Sequence, residues 1–83
     1  MTQPWDSLEA QMKQAIEAAI PQAEAQVMGN GGHFSIRVVS PEFAGKRTLE
    51  KQRMVYSAIQ PFMAGSNAPV HAVDQLETLV PPA

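Results

Sequence analysis

The sequence predicts a small α+β fold in the order helix, strand, strand, helix, strand. Three observations carry this: the helical periodicity of "DSLEAQMKQAIEAAI", the strict alternation of "HFSIRVVS" directly after "GNGG", and a second helical stretch from Thr48 that separates this strand from "VHAVDQLET". At 83 residues the chain buries only about 60–65% of the surface its unfolded form exposes, enough for one modest core. We expect one domain over residues 1–83, with its core at about 6–78 and a short tail at 79–83.

In the first element Leu8, Met12, Ala15, Ile16 and Ala19 recur at spacings of three and four, which makes one apolar stripe. Asp6 or Ser7 can cap its start, Glu9 suits the first turn, and Pro21 stops it. "EAQVM" alternates roughly and reads as a strand that runs into Asn30-Gly31, a strong two-residue hairpin signal because a type I′ turn needs positive φ at both central positions. Gly29 to Gly32 also match a nucleic-acid-binding GxxG loop, but that loop joins two helices and this one joins two strands. The next strand directs Phe34, Ile36 and Val38 to one side and His33, Ser35 and Arg37 to the other.

After the short turn region "PEFAGKR", with Gly45 as a structural turn residue, Thr48 can cap a second helix through about Gln60. Its broad apolar face comprises Leu49, Gln52, Val55, Tyr56, Ile59, Phe62 and Met63, with Pro61 ending or kinking it. "AGSNAP" reads as a loop. In the last strand Val70, Ala72 and Leu76 fall on one face, and His71, Val73, Gln75 and Glu77 on the other.

The formal net charge of −2 is unevenly distributed. Residues 37–53 carry Arg37, Lys46, Arg47, Lys51 and Arg53 against Glu42 and Glu50, and both flanks are acidic. A basic middle suggests an anionic contact without the strongly basic surface of a dedicated nucleic-acid binder. Cysteine is absent, so the chain offers no disulfide, thiolate ligand or thiol nucleophile. No secretory pattern or membrane-length apolar run is present, which predicts a soluble, cytoplasmic protein.

The two histidines begin two strands. A strand–helix–strand crossover normally makes its strands parallel, so neighbouring second and third strands would start at the same sheet edge, about 4.8 Å apart. There His33 and His71 could share one ligand. Two histidines are too few for a closed tetrahedral zinc site, so any metal needs ligands from elsewhere.

The run "GHFSIRVVSPEFAGKRTLEKQRMVYSAI", followed by "VHAV", resembles the BolA family, and "GNGGHF" and "KQRMVY" resemble its bacterial IbaG branch. The resemblance spans roughly residues 24–78 and rests on H-F, V-V-S, F-x-G, R-x-V-Y and H-A in order. It implies a class II KH-like fold with a mixed three-stranded sheet and helices on one face. It further implies partnership with a monothiol glutaredoxin, the two proteins holding a [2Fe–2S] cluster between them. In that arrangement His71 of the H-A step is a ligand and His33 fits as the second. The glutaredoxin supplies its cysteine and a glutathione thiolate, and no cluster is expected on the isolated protein. Imidazole can replace thiolate on one iron of such a cluster and raise its potential. Two departures stand out: Lys51-Gln52-Arg53 replaces the R-H-R of other branches, and Thr78 is followed by "LVPPA" rather than the T-P-x-E-W segment that leads into a last helix.

Two other functions compete. Nucleic-acid binding would use Gly45, Lys46, Arg47, Lys51 and Arg53, with Lys46 and Arg47 holding a phosphate near a helix N-terminus. Lys51 and Arg53 lie about 160° apart around a helix, so they form no single groove-reading stripe. For an enzyme, His33 or His71 with Asp74 nearby could act as a base, but no nucleophile, phosphate loop or dinucleotide fingerprint accompanies them. The resemblance therefore implies a non-enzymatic adaptor in iron–sulfur trafficking or iron sensing. Homodimerisation stays open, and no membrane contact is expected.

Overall fold

The computed structural model describes residues 7–65 and 68–82, apart from the Asn30 side chain. Helix α1 (Leu8–Ala19) is followed by strands β1 (Glu24–Asn30) and β2 (His33–Val39), a 3-10 turn at Pro41–Phe43, helix α2 (Thr48–Met63) and strand β3 (Ala72–Leu79). The sheet order is β1-β2-β3, with β1 antiparallel and β3 parallel to β2. This is the α+β fold and mixed sheet anticipated from the sequence.

Ser7 caps α1, its Oγ accepting from the Ala10 N–H at 3.1 Å; the alternative cap, Asp6, lies outside the described residues. Met12 and Ile16 of α1, Phe34, Ile36 and Val38 of β2, and Val55 and Ile59 of α2 are buried in one cluster between helices and sheet. Ala25 and Val27 complete the inner face through β1, directly opposite Val38 and Ile36.

Five expectations need correction. The hairpin turn is Gly31–Gly32, with φ of +61° and +83°, and Asn30 closes β1 opposite His33. Two glycines supply the left-handed backbone without steric cost, so the turn settles one residue later than Asn30-Gly31. Helix α2 continues through Pro61 to Met63. Proline removes the N–H that would reach the Ser57 carbonyl, and Ser57 is on the exposed side of the helix. Thr48 is the first helical residue rather than the cap; Arg47 holds that place, its N–H donating to Glu50 Oε1 at 3.4 Å. The buried face of α2 is also rotated. Met54 and Ala58 pack against the core, whereas Leu49 and Tyr56 are exposed, because the helix meets the other elements over a narrower arc than its apolar residues span.

The last correction concerns β3. Phe34 pairs with Val73 but Ser35 with Gln75, so Asp74 is an extra, bulged residue. The extra residue reverses the side-chain alternation beyond it. Val73 and Leu76 consequently pack on the core, while Gln75 and Glu77 share rows with the outward-facing Ser35 and Arg37.

Two polar devices hold the frame. Buried Ser40 follows β2: its N–H donates to the Leu79 carbonyl (2.9 Å), its Oγ donates to the Pro21 carbonyl (2.8 Å) and accepts from the Glu42 N–H (3.1 Å). It thereby joins the end of β3, the turn before β1 and the 3-10 turn. At the free edge of β1, the Ala25 N–H donates to Glu17 Oε2 and Lys13 Nζ donates to the Ala25 carbonyl, both at 3.0 Å. Lys13 and Glu17 also pair with each other across one turn of α1. The sheet edge is therefore closed at Ala25 by helix side chains, which blunts a site for strand addition.

Ser40→Ala strands the Pro21 carbonyl and the Glu42 N–H, and chemical denaturation is expected to show a loss of about 1–3 kcal/mol. The hydrogen bond from Lys13, then that from the Ala25 N–H, lowers the Glu17 pKa from its ordinary value of 4.5 against the opposing effect of burial. A carboxylate with a depressed folded pKa stabilises above its unfolded pKa, and that contribution disappears as pH falls through the folded value. Glu17→Gln should therefore flatten the acid limb of the stability–pH curve below the ordinary carboxylate range. An unchanged limb would mean that the latch contributes nothing to the fold.

Candidate functional site

The hairpin sets one corner of the sheet. Immediately after Gly31–Gly32, His33 opens β2 and pairs in register with Ala72, the first residue of β3. The Gly32 carbonyl accepts from two successive groups of the neighbouring strand, the His71 N–H at 2.8 Å and the Ala72 N–H at 3.2 Å. His71 thus sits one residue before β3 proper, not inside it. The chain arrives there from α2, whose last turn holds it through a 3.1 Å bond from the Val70 N–H to the Phe62 carbonyl.

The corner brings both histidines together, as the parallel crossover required. Each is exposed, and the His33 side chain retains 59% of its accessible surface. The His71 ring lies directly against Gly32. A Cβ built on Gly32 would come within 2.2 Å of His71 Cδ2 and 3.3 Å of Nε2, so the ring occupies space that any other residue would fill. His33 has a different support: its Nδ1 is 3.1 Å from Asp74 Oδ1. The bulge puts Asp74 on the strand beside His33, and the two line an open depression with Met28, Gly29 and Ser35. A second depression continues along the uncovered sheet face past Gln26, Arg37, Gln75 and Glu77.

Among the described residues, no group of three or more His, Asp or Glu side chains is placed to hold a metal ion. Two imidazoles on one corner therefore offer half of a four-ligand set. Neutral imidazole is a suitable ligand for iron, copper, nickel or zinc. Such a donor pair fits a metal centre completed by a second molecule, and does not fit a closed site of the chain's own.

The basic candidates lie elsewhere. Lys46, Arg47, Lys51 and Arg53 gather at the start of α2, whereas the histidines lie near its end. With 16 residues in the helix, at about 1.5 Å each, its two ends are roughly 24 Å apart along its axis. Lys46, Arg47 and Arg53 are exposed and Lys51 is half-buried. Gly45, with φ of +75°, turns the chain just before them. The structure leaves these residues at the start of α2, away from the histidine corner. Sequence reasoning anticipated Asp74 near one histidine, but missed the bulge that selects His33. It also missed Gly32, whose only signal was a second glycine after Asn30-Gly31.

Comparison with known proteins agrees with this architecture. The family described as BolA-like protein matches residues 7–81. An uncharacterised protein from the rpoN–murA intergenic region of Acinetobacter guillouiae is 38% identical over 63 residues, covering 76% of this chain and 74% of its own. A bolA homologue from Coxiella burnetii superposes with a TM-score of 0.70 at 30% identity, over 98% of this chain and 94% of that one. BolA1 from Mus musculus gives 0.67 at 29% identity, over 96% of this chain and 68% of that one.

Gly32→Ala should cost about 1–2 kcal/mol from its left-handed backbone alone, and should also displace the His71 ring. Gly31→Ala carries a similar backbone cost, yet nothing lies within 4 Å of its added Cβ. The expected outcome is comparable destabilisation by denaturation, with His71 imidazole resonances shifted strongly only in the Gly32 variant. Equal shifts in both would show that ring contact with Gly32 is unimportant.

Proposed function

The chain belongs to the BolA-like protein family, and from that premise we propose that it is a non-enzymatic, cytoplasmic partner of a monothiol glutaredoxin. The two proteins share a [2Fe–2S] cluster in iron–sulfur trafficking or in iron and redox regulation. One observation of this chain supports the reading most directly: two exposed imidazoles stand on one sheet corner, with no third ligand grouped with them among the described residues. On this reading His71 would be the principal ligand and His33 the second, and the glutaredoxin cysteine and glutathione thiolate would supply the remaining ligands. When bound, the cluster supplies an electron-accepting centre whose potential is raised by exchanging thiolate for imidazole.

The protein's own contribution is placement. Gly32 seats the His71 ring, the paired strands set its distance from His33, and the uncovered sheet face leaves room for a partner to approach. Exposure is a requirement here, because the remaining ligands arrive on another molecule. The four basic residues near the start of α2 are remote from this corner and need play no part in ligation. A nucleic-acid role for them has a weaker geometric basis, since Lys51 and Arg53 project in different directions from the helix.

Mixing the chain with cluster-loaded monothiol glutaredoxin and glutathione should produce a new visible absorption and circular dichroism spectrum. His71→Ala is expected to abolish it. His33→Ala should leave a weaker or altered spectrum, consistent with loss of one of two nitrogen ligands. A glutaredoxin spectrum unchanged by the wild-type protein would overturn cluster sharing.

A further inference from the structure

We propose that Asp74 is a positioning residue for His33: its carboxylate accepts the Nδ1–H of the neutral ring and leaves Nε2 as the free donor atom. The value of this for ligation rests on the cluster-sharing function proposed above, but the hold of Asp74 on the ring does not.

Three observations lead to it. First, the contact is atom-specific. Asp74 Oδ1 is 3.1 Å from Nδ1, and no hydrogen bond to His33 Nε2 occurs among the described residues. In a neutral imidazole one nitrogen donates and the other accepts, and the bond made by one determines the role of the other. An ionised carboxylate only accepts, so it selects the ring form with hydrogen on Nδ1 and the lone pair on Nε2. Second, the carboxylate is delivered by a bulge. Regular pairing would carry β3 from Val73 opposite Phe34 directly to a partner for Ser35; instead Gln75 takes that place and Asp74 is inserted before it, beside His33. Bulges commonly re-aim a side chain next to a functional site. Third, the pair is exposed, with side-chain accessibilities of 59% for His33 and 55% for Asp74. Such a surface contact contributes little to folding. Its effect falls on the orientation and proton position of one ring.

This is the arrangement that metal-ligating histidines commonly use: the nitrogen away from the metal donates to a carboxylate, which fixes the ring and increases its basicity. His71 has no corresponding carboxylate bond among the described residues and is fixed instead by packing on Gly32. The two ligand candidates therefore have distinct supports, one electrostatic and one steric, and can be perturbed independently.

The experiment has two readouts. In the isolated protein, long-range proton–nitrogen correlation of labelled imidazoles at about pH 8 reports which nitrogen carries the proton. Wild-type His33 should be mainly the Nδ1–H form, and Asp74→Ala should shift it toward Nε2–H. Asp74→Asn, whose Oδ1 can still accept, should retain part of the wild-type distribution. In the mixture with cluster-loaded glutaredoxin and glutathione, Asp74→Ala should weaken cluster-bound complex formation by about 10- to 100-fold. The double variant with His33→Ala should be no weaker than His33→Ala alone, because Asp74 acts through His33.

A wild-type ring protonated on Nε2, a distribution unchanged by Asp74→Ala, or additive losses in the double variant would each overturn the proposal. Failure of the wild-type protein to form any cluster complex would instead overturn the cluster-sharing function; the tautomer measurement would still decide whether Asp74 controls His33.

Discussion

The Gly32 carbonyl, accepting from both His71 and Ala72, is the constraint on which the corner depends. It fixes where a parallel strand begins relative to its neighbour, and parallel register cannot be adjusted by a tight turn as hairpin register can. Slipping β3 by one residue would send Val73 and Leu76 away from the core and separate the histidines from their present alignment. The same contact thus couples burial of apolar side chains to exposure of polar ones. Core packing and site placement are two consequences of one register.

A second clamp operates at the far end of the sheet, where the Ser40 N–H meets the Leu79 carbonyl. Between the clamps β2 and β3 run in step, apart from the bulge at Asp74. Helix α2 returns the chain from one end to the other, and its length explains why the basic residues and histidines occupy opposite ends. Covering only one sheet face, the helices leave the other available around His33. The architecture therefore separates a packed side, which fixes positions, from an open side, which presents them.

Much of this was legible in the sequence because the relevant signals are local. The α1 stripe, the alternation from His33 to Val39 and the crossover through α2 each follow from short-range periodicity. Together they were enough to place His33 and His71 at one edge. What escaped depends on relations between distant residues. The bulge at Asp74 has no composition signature and becomes visible only when β3 must match β2. Ser40 looks like an ordinary polar strand terminus until Pro21, Glu42 and Leu79 converge on it. Leu49 and Tyr56 have the periodicity of a buried face, but the arc of α2 that meets other elements is set by tertiary packing. The turn position was a closer contest: Asn30-Gly31 and Gly31–Gly32 both suit positive φ, and the second pair meets the requirement at lower steric cost.

The vacancy where Gly32 lacks a side chain also bears on how this corner can change over generations. Positions 32 and 71 are separated in the chain by β2, the 3-10 turn and α2, yet they occupy one volume. Glycine at the first is the condition under which an imidazole at the second keeps its seat. A larger residue at position 32 takes that space and turns the ring out of its seat. The two positions therefore form a single heritable unit, and descent through this fold should preserve or abandon them together.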